Sequence, residues 1–428
     1  MQGAKERVGR AKSFSCEFVS FKVRIIFIHP KSKAMNYRYS FFLLIGIITA
    51  CTPENESLTW YKGNLHTHTY WSDGDEFPEL VLDWYKSQGY DFVALSDHNT
   101  LAQEEKWKVV AKSPLYEASF QKYLEKFGTD WVVYKTDTGR IQVKLKTFAE
   151  YKSKMEEAGF LIIPSEEITN YVAGKIPVHV NATNLQQFIA PPNAPTVIET
   201  MQQSVDAVLK QREETGVPMF PHINHPNFHW ALTVDDMIAL QGERFFEVYN
   251  GHPLVHNYGD STRMGTEAMW DKINRAYANR NQPLMYGLAT DDSHSYHQFG
   301  TAFSNAGRGW VMVQAKSLDA ASVIEAMEAG RFYASTGVTF SKLSFVNNQL
   351  RVEIAEEVGV AYTIEVIGLK TGADETEIVQ TQQGTHVSFD VTKEYVFVRI
   401  RVTSNKQKEN PFQDGDLEMA WTQPVSVK

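Results

Sequence analysis

Cysteine is almost missing from this 428-residue chain. There are two, Cys16 and Cys51, and neither lies in the part that reads as globular. That excludes a disulfide framework and a cysteine-based zinc site, so any metal has to be held by histidine and carboxylates. Excess positive charge is missing as well. The net charge is −9 and the isoelectric point is near 5.8, the opposite of the clustered Lys and Arg that nucleic acid requires. A small anionic substrate held locally stays compatible with that balance. The apolar run Phe41–Ile48 is too short for a helical membrane span, which takes about 20 residues. What remains is an ordinary globular composition, 43% hydrophobic, long enough for one large domain and a smaller one.

Residues 1–34 are basic and lack a core-forming pattern. Met35 opens a second beginning: Asn-Tyr-Arg-Tyr-Ser, the run Phe41–Ile48, then Thr49-Ala-Cys51. A charged start, a short apolar middle and small residues before a cut site describe a secretory signal. The Ile-Thr-Ala-Cys ending resembles a bacterial lipoprotein signal, whose cysteine becomes the lipidated first residue. The expectation is therefore a mis-assigned extension over 1–34, a signal over 35–51 with lipid on Cys51, and a tether over 52–59. The mature chain would be exported and attached to a bacterial membrane, periplasmic or cell-surface, through lipid alone.

From residue 60 the chain alternates short apolar runs with helical stretches, and histidines and acids recur at the ends of the runs. Gly63-Asn-Leu-His-Thr-His-Thr-Tyr-Trp-Ser-Asp73 carries His66 and His68 two apart, so on a strand both imidazoles face one side. Asp73 follows them. Pro78–Gln88 predicts a helix with Leu80, Val81, Trp84 and Tyr85 on one face. Phe92–Leu95 predicts a buried strand ending on Ser96-Asp97-His98, with Asp97 expected to orient an imidazole. Residues 101–158 are polar and helical in character, an excursion over the mouth of the site or plain surface helices. Phe160–Ile163 ends on Glu166-Glu167, an adjacent pair that is costly to bury unless paired or metal-bound; Glu167 is taken to point inward. Pro177–Asn181 carries His179. Val217–Phe220 delivers His222 and His225, which face opposite ways in extended chain, and His225, fixed by Pro226, is preferred as the ligand. Phe245–Tyr249 is a further strand, and Leu284–Leu288 leads to Asp291-Asp292-Ser-His294. This strand–helix–strand order predicts parallel strands with functional groups at their carboxyl ends, as in α/β barrels. From Phe340 the period changes to two, predicting several short strands in a small β-sandwich, with Arg399 and Arg401 facing outward.

Taken in order, His-Thr-His68 with Ser-Asp-Gly74, Ser-Asp-His98, Glu-Ile168, His179, His-Pro226 and Asp-Ser-His294 resemble the motifs of the polymerase-and-histidinol-phosphatase (PHP) superfamily, over residues 60–335. Trp60-Tyr-Lys-Gly-Asn-Leu-His66 and Gly330-Arg-Phe-Tyr-Ala-Ser335 are most similar to its secreted metallohydrolase branch, which includes carbaryl hydrolases. The resemblance implies a distorted seven-stranded β/α barrel over 60–338, followed by the sandwich over 339–428. It implies two or three divalent ions. His66, His68, Glu167 and Asp292 would hold one; Glu167 would bridge to a second on His179 and His225; Asp73, His98 and His294 would hold a third. Glu166 and Asp291 double two of these carboxylates, which leaves each choice open by one residue. Asp292, Glu167 and His225 are the expected catalytic positions.

Mixed nitrogen and oxygen ligation suits Zn, Mn or Fe without choosing among them. A bound metal can lower the pKa of water from 15.7 to about 7, giving hydroxide at neutral pH. There is no convincing Ser–His–Asp set or Gly-rich phosphate loop. The expected function is a metal-dependent hydrolase acting on a small molecule, first a phosphoesterase. A carbamate, ester or amide hydrolase using the same site is the alternative, and a non-catalytic ligand-binding lipoprotein the second. Phosphate selection calls for a cation near the metals, with Arg263, Arg308 and Arg331 as candidates.

Overall fold

A computed structural model describes residues 58–427. The leader and lipidation expectations, Cys51 included, lie outside those residues. The described chain is a mixed α/β fold built on one large sheet. In order its elements are β1 (Thr59–Asn64), α1 (Pro78–Ser87), β2 (Phe92–Leu95), β3 (Trp107–Val109), α2 (Pro114–Phe127), β4 (Tyr134–Asp137), β5 (Arg140–Lys144), α3 (Phe148–Met155), β6 (Leu161–Val172), β7 (Ile176–Thr183), α4 (Val197–Thr215), β8 (Phe220–Ile223), α5 (Val234–Ala239), β9 (Phe245–Asn250), α6 (Thr266–Asn279) and β10 (Tyr286–Thr290). There follow β11 (Trp310–Ala315), α7 (Ala320–Glu328), β12 (Phe332–Ser335), β13 (Phe340–Val346), β14 (Gln349–Ile354), β15 (Tyr362–Lys370), β16 (Glu377–Gln383), β17 (His386–Asp390), β18 (Tyr395–Gln407) and β19 (Leu417–Thr422).

The large sheet runs β10-β9-β8-β7-β6-β2-β1-β11-β12-β19-β18-β15-β16. Parallel pairing, expected throughout the first part, holds for β1–β2, β2–β6, β8–β9 and β9–β10. It fails at β6–β7 and β7–β8, which are antiparallel. The reason is the connection: β6 runs through Tyr171 into the tight turn Ala173-Gly174 and straight back as β7, with no room for the crossover that a parallel pair needs. The two ends of the run from β1 to β10 come together just past the strands. Thr67 bridges to Ser293, and Asp292 N–H donates to the His66 carbonyl at 3.1 Å.

Side chains from β2, β6, β8, β9, β10, β11 and β12 meet in one apolar cluster: Phe92, Ile163, Phe220, Phe245, Leu288, Val311 and Phe332, closed from outside by Val323, Ile324 and Met327 of α7. All of them belong to the strands themselves or to α7. His98, His225 and His294 sit just beyond the carboxyl ends of β2, β8 and β10, His66 and His68 beyond that of β1, and His179 within the reversed strand β7, so the apolar interior is their floor. Burying a side chain of this size contributes about 1.5–3 kcal/mol, which makes that floor stiff.

Residues 101–158 depart from the expected helices. They form α2 and α3 together with a three-stranded sheet, β3-β5-β4, and their Phe120, Tyr123, Val143 and Tyr151 pack with Leu80, Val81 and Tyr85 of α1. They buttress the site from behind: Lys106 reaches the Trp71 carbonyl, and Trp71 Nε1–H donates to the Lys146 carbonyl at 3.0 Å.

The carboxyl-terminal strands also differ in one respect. Arg399 does not face solvent, and Arg401 keeps only 26% of its side chain exposed. Val398, Ile400 and Val402 turn toward the apolar cluster shared with β14 and β15, but the opposite face of β18 is covered by α6. Arg399 is 1% exposed. Its Nε and Nη2 donate to Asp271 at 2.8 Å each and its Nη1 to Glu267 at 2.7 Å. Arg401 shares Glu267 and adds Glu365. Period-two alternation marks which residues leave the core but not whether a helix waits on the other side. Removing one member of a buried ion pair leaves the partner charge uncompensated, a loss of about 3–5 kcal/mol. Arg399→Leu is therefore expected to lower unfolding free energy by about 3 kcal/mol in urea titrations; a loss under about 0.5 kcal/mol would refute this account of the α6–β18 contact.

Candidate metal centre

The first histidines are aimed by the chain around them. Asn64, at the end of β1, donates through Nδ2 to the His66 carbonyl, Thr67 Oγ1, Tyr85 Oη and Asp291 Oδ2. That pins the extension 65–68, and His66 and His68 stand fully buried within it. The loop then folds back on itself at Gly74, where a Cβ would lie 2.6 Å from the His68 carbonyl. Only glycine allows that approach, and it is what returns Asp73 toward His68. Asp97 does not orient an imidazole as expected. Its carboxylate accepts from the N–H and hydroxyl groups of both Thr69 and Ser72 at 2.6–3.0 Å, so it shapes the loop that carries Asp73.

Glu167 is the centre of the arrangement. One carboxylate oxygen, Oε1, lies 2.9 Å from His179 Nδ1, 3.4 Å from His66 Nε2 and 3.5 Å from His225 Nε2. The other, Oε2, lies 2.7 Å from His98 Nδ1 and 3.2 Å from His68 Nε2. Asp292 faces the same histidines from β10: Oδ1 is 3.2 Å from His66 Nε2, 3.2 Å from His68 Nε2 and 3.6 Å from His294 Nδ1, and Oδ2 is 3.8 Å from His225 Nε2. Asp73 approaches His294 at 3.3 Å, His98 at 3.7 Å and His68 at 3.8 Å. All nine side chains singled out as ligands thus meet in one place. Asp292 has φ +49°, a backbone region unfavourable to a non-glycine residue and characteristic of functional sites.

The doubled carboxylates part company for a physical reason. Residues alternate along β6, so Glu166 faces away from the imidazoles. It is buried, accepts from Ile189 N–H at 3.0 Å, and burial pushes its carboxyl up to about 8. Asp291 is consumed by the backbone: it accepts from the N–H groups of Gly307, Arg308 and Gly309 and from Tyr85 Oη, all within 2.8 Å. His222 likewise turns from the cluster toward Glu247, 3.5 Å away.

Electrostatics reinforce the geometry. Burial alone would raise Glu167, yet His98, His66 and His179 hold it well below the ordinary carboxylate range. Asp292 is held low against burial by His66, His68 and His225. Burial, with His294 and His98 beside it, pushes His68 down to about 3. For His98 burial is outweighed by Glu167 and Asp73, which bring it to about 9.

The residues fit a metal. His66 Nε2, His68 Nε2, Glu167 Oε2 and both nitrogens of His179 are buried with no hydrogen-bond partner among the described residues, a cost that proteins rarely tolerate without a reason. Donor atoms about 3–3.5 Å apart are what ligands sharing an ion at 2.0–2.2 Å require. The groupings are His68, Asp73, His98 and His294; His66, His68 and Asp292; His66, Glu167 and His225; His98, Glu167 and His179; and His66, His222 and Glu247. His68 and His98 each belong to two of them and His66 to three, which differs from the partition that the family resemblance implies.

Sequence reading missed Glu247. Its signal was present, an acid inside the otherwise apolar Phe245-Phe-Glu-Val-Tyr249. It is fully buried and accepts from His66 Nδ1 and His225 N–H at 2.7 Å and from Asn250 Nδ2 and Thr290 Oγ1 at 2.8 Å. With Nδ1 given to Glu247, His66 has Nε2 as the atom available to a metal beside Glu167 and Asp292. Asn224, donating to Glu167 at 2.6 Å, and His252 were missed too.

A cavity of about 500 Å³ opens on the cluster. Beside the ligand candidates it is lined by Tyr171, Phe228, His252, Leu254, Phe303 and Ser295, with no lysine or arginine and nothing from residues 101–158. The three candidate arginines are elsewhere. Arg263 pairs with Asp260 and lies over the Trp230 ring. Arg331 neighbours Glu325. Arg308 is buried, giving its guanidinium to the carbonyls of Gly251, Phe303 and Gly300. It braces the segment that carries Phe303 and does not line the cavity.

No protein-family model matches the chain, and no curated protein does. Among solved structures it is similar to a two-domain protein from Bacteroides vulgatus containing a predicted PHP-like metal-dependent phosphoesterase, at 16% identity and TM-score 0.39, covering 86% of this chain and 95% of that one. It is also similar to a candidate metal-dependent phosphoesterase from Bifidobacterium adolescentis, at 12% identity and TM-score 0.28, covering 55% and 88%. Likenesses this distant do not decide the activity, which has to be argued from the site.

Partners that orient metal-binding imidazoles are worth about 10–100-fold in metal affinity. Glu247→Ala is therefore expected to weaken zinc binding by that factor in chelator competition, with helical content retained by circular dichroism. Affinity within threefold of the unaltered protein would show that Glu247 plays no part.

Proposed function

We propose that this chain is a metal-dependent hydrolase, with phosphoesters as the first substrate class. The observation that carries this reading is the convergence of buried, unpartnered imidazole and carboxylate atoms at the floor of a cavity wide enough for a small molecule. His66, His68, Glu167, Asp292, His179, His225, Asp73, His98 and His294 would hold two or three divalent ions, and a closed structural zinc needs only four ligands. Such ions, when bound, act as Lewis acids and make water nucleophilic at neutral pH. The protein's own contribution is to fix the ligands, through Glu247 and Asn224, and to surround them with the apolar walls Phe228, Leu254 and Phe303. Asp292, Glu167 and His225 are the residues we assign to the reacting centre.

One observation favours a second reading. No lysine or arginine lines the cavity, so a phosphate would find positive charge only at the metals, whereas an uncharged ester, carbamate or amide needs none elsewhere. On either reading we take β1, β2 and β6–β10 as a distorted seven-stranded barrel, supported by the Thr67–Ser293 bridge and the common apolar interior. The sheet β13-β14-β17, facing β15 and β18 across an apolar layer, supports a terminal β-sandwich. Export and lipid attachment are proposed on the leader alone: Cys51→Ser should abolish incorporation of labelled palmitate, and undiminished labelling would refute it.

Protein purified without chelators should contain at least two equivalents of transition metal by elemental analysis, and should hydrolyse aryl phosphates faster than the matching aryl carbamates. The reverse preference selects the second reading. His68→Ala and Asp292→Ala are each expected to remove more than 99% of turnover, about 2.7 kcal/mol of barrier or more, with the fold intact. Metal-replete protein inert toward both panels would overturn the assignment as an enzyme.

A further inference from the structure

The cavity wall carries one imidazole that none of the metal groupings includes. His252 follows β9 and precedes Pro253, and its surroundings determine which nitrogen bears the proton. Leu254 N–H donates to His252 Nδ1 at 3.1 Å. A nitrogen that accepts a backbone N–H holds a lone pair, so the imidazole proton sits on Nε2. Nε2 has no hydrogen-bond partner among the described residues and is absent from the buried unpartnered atoms, and the side chain lines the cavity. It is a donor open to whatever occupies that space.

Its position is tied to the metal centre from two sides. His252 N–H donates to Asn250 Oδ1 at 2.8 Å, while Asn250 Nδ2 donates to Glu247 and, at 3.2 Å, to Asp292 Oδ2. The ring stands edge-to-face against Phe228 (centroids 5.3 Å apart, 84°) and His294 (5.7 Å, 78°). A ring gripped in this way presents its N–H without reorganisation, the condition under which a hydrogen bond to developing charge is most effective. Three other side-chain donors outside the ligand candidates line the cavity. Ser304 already gives its hydroxyl to the Asp292 carbonyl; Tyr171 is 53% exposed, and Ser295 has a freely rotating hydroxyl. Neither of these two is so constrained.

We propose that His252 contacts the substrate, its Nε2–H hydrogen-bonding the oxygen that leaves. This rests on the hydrolase reading above. When the bond from the reacting carbon or phosphorus to that oxygen breaks, the electron pair stays on the oxygen, and the His252 N–H stabilises the charge as it forms. Water supplies both the hydroxyl gained by one product and the proton finally taken up by the other. In a cavity without lysine or arginine, this is the fixed donor outside the ligand set.

The test compares metal-loaded wild type with His252→Phe, which keeps the ring's bulk, and His252→Gln, which restores a donor. Substrates are aryl phosphates and aryl carbamates whose leaving phenols range from 4-nitrophenol to unsubstituted phenol. Loss of one such donor costs about 10²–10³-fold in rate. His252→Phe should lower kcat for phenol release by about 100-fold and for 4-nitrophenol release by much less, steepening the dependence on leaving group. Metal content and Tm should stay at wild-type values, and His252→Gln should recover part of the loss. Equal rates and equal slopes in wild type and His252→Phe would overturn the proposal, as would a loss explained by missing metal. If wild type itself turns over neither series, the hydrolase reading falls first and takes this assignment with it.

Discussion

A carboxylate buried among imidazoles is the constraint on which the rest of this structure depends. Glu167 is inaccessible to solvent and touches five histidines. Left alone in such a place a carboxyl would take up a proton, because ionised groups are expensive to desolvate. Here the surrounding imidazoles keep it charged, and several of their nitrogens face a common space with no hydrogen-bond partner among the described residues. Protein atoms by themselves leave that polar knot unsatisfied, and divalent cations are the partners that would complete it.

Holding the knot open takes rigid support, since nine polar side chains would otherwise find one another. The support has two layers. Below is the apolar interior contributed by seven strands of the sheet, β2, β6 and β8 through β12, and by α7. Around it is a ring of buried polar residues that touch the ligand candidates from outside: Asn64, Asn224, Glu247 and Asn250. Each bonds to more than one element, so that the strand ends are spaced by side-chain length and not by loop conformation. Asp291 does the same for the chain after β10, gathering three consecutive backbone N–H groups.

Much of the site was legible in the sequence, and the reason is local. A histidine or acid placed just after a short apolar run announces itself, and most of the nine ligand candidates are of that kind; His179 lies inside its run, and Asp73 was legible only from its nearness to His66 and His68. Glu247 broke the rule by sitting inside its run, where a buried acid reads like a strand residue of the wrong type. The arginines misled for the opposite reason. Charge identifies what a side chain can bind but not what it already binds: Arg308 is committed to carbonyls of its own loop and of distant Gly251, and Arg399 to carboxylates more than 100 residues away. The antiparallel β6–β7 pair was visible only in the shortness of its turn. The three strands between 107 and 144 were hidden in a polar stretch whose burial depends on α1.

The last strand among the described residues, β19, lies in the interior of the large sheet, hydrogen-bonded to β12 on one side and β18 on the other. Until residues 417–422 emerge, β12 presents an unpaired edge next to the strands that carry the histidines. Contacts between such distant segments form slowly. A nascent or clipped copy of this chain lacking residues 417–422 would therefore own every ligand candidate and still expose a sticky border beside the centre.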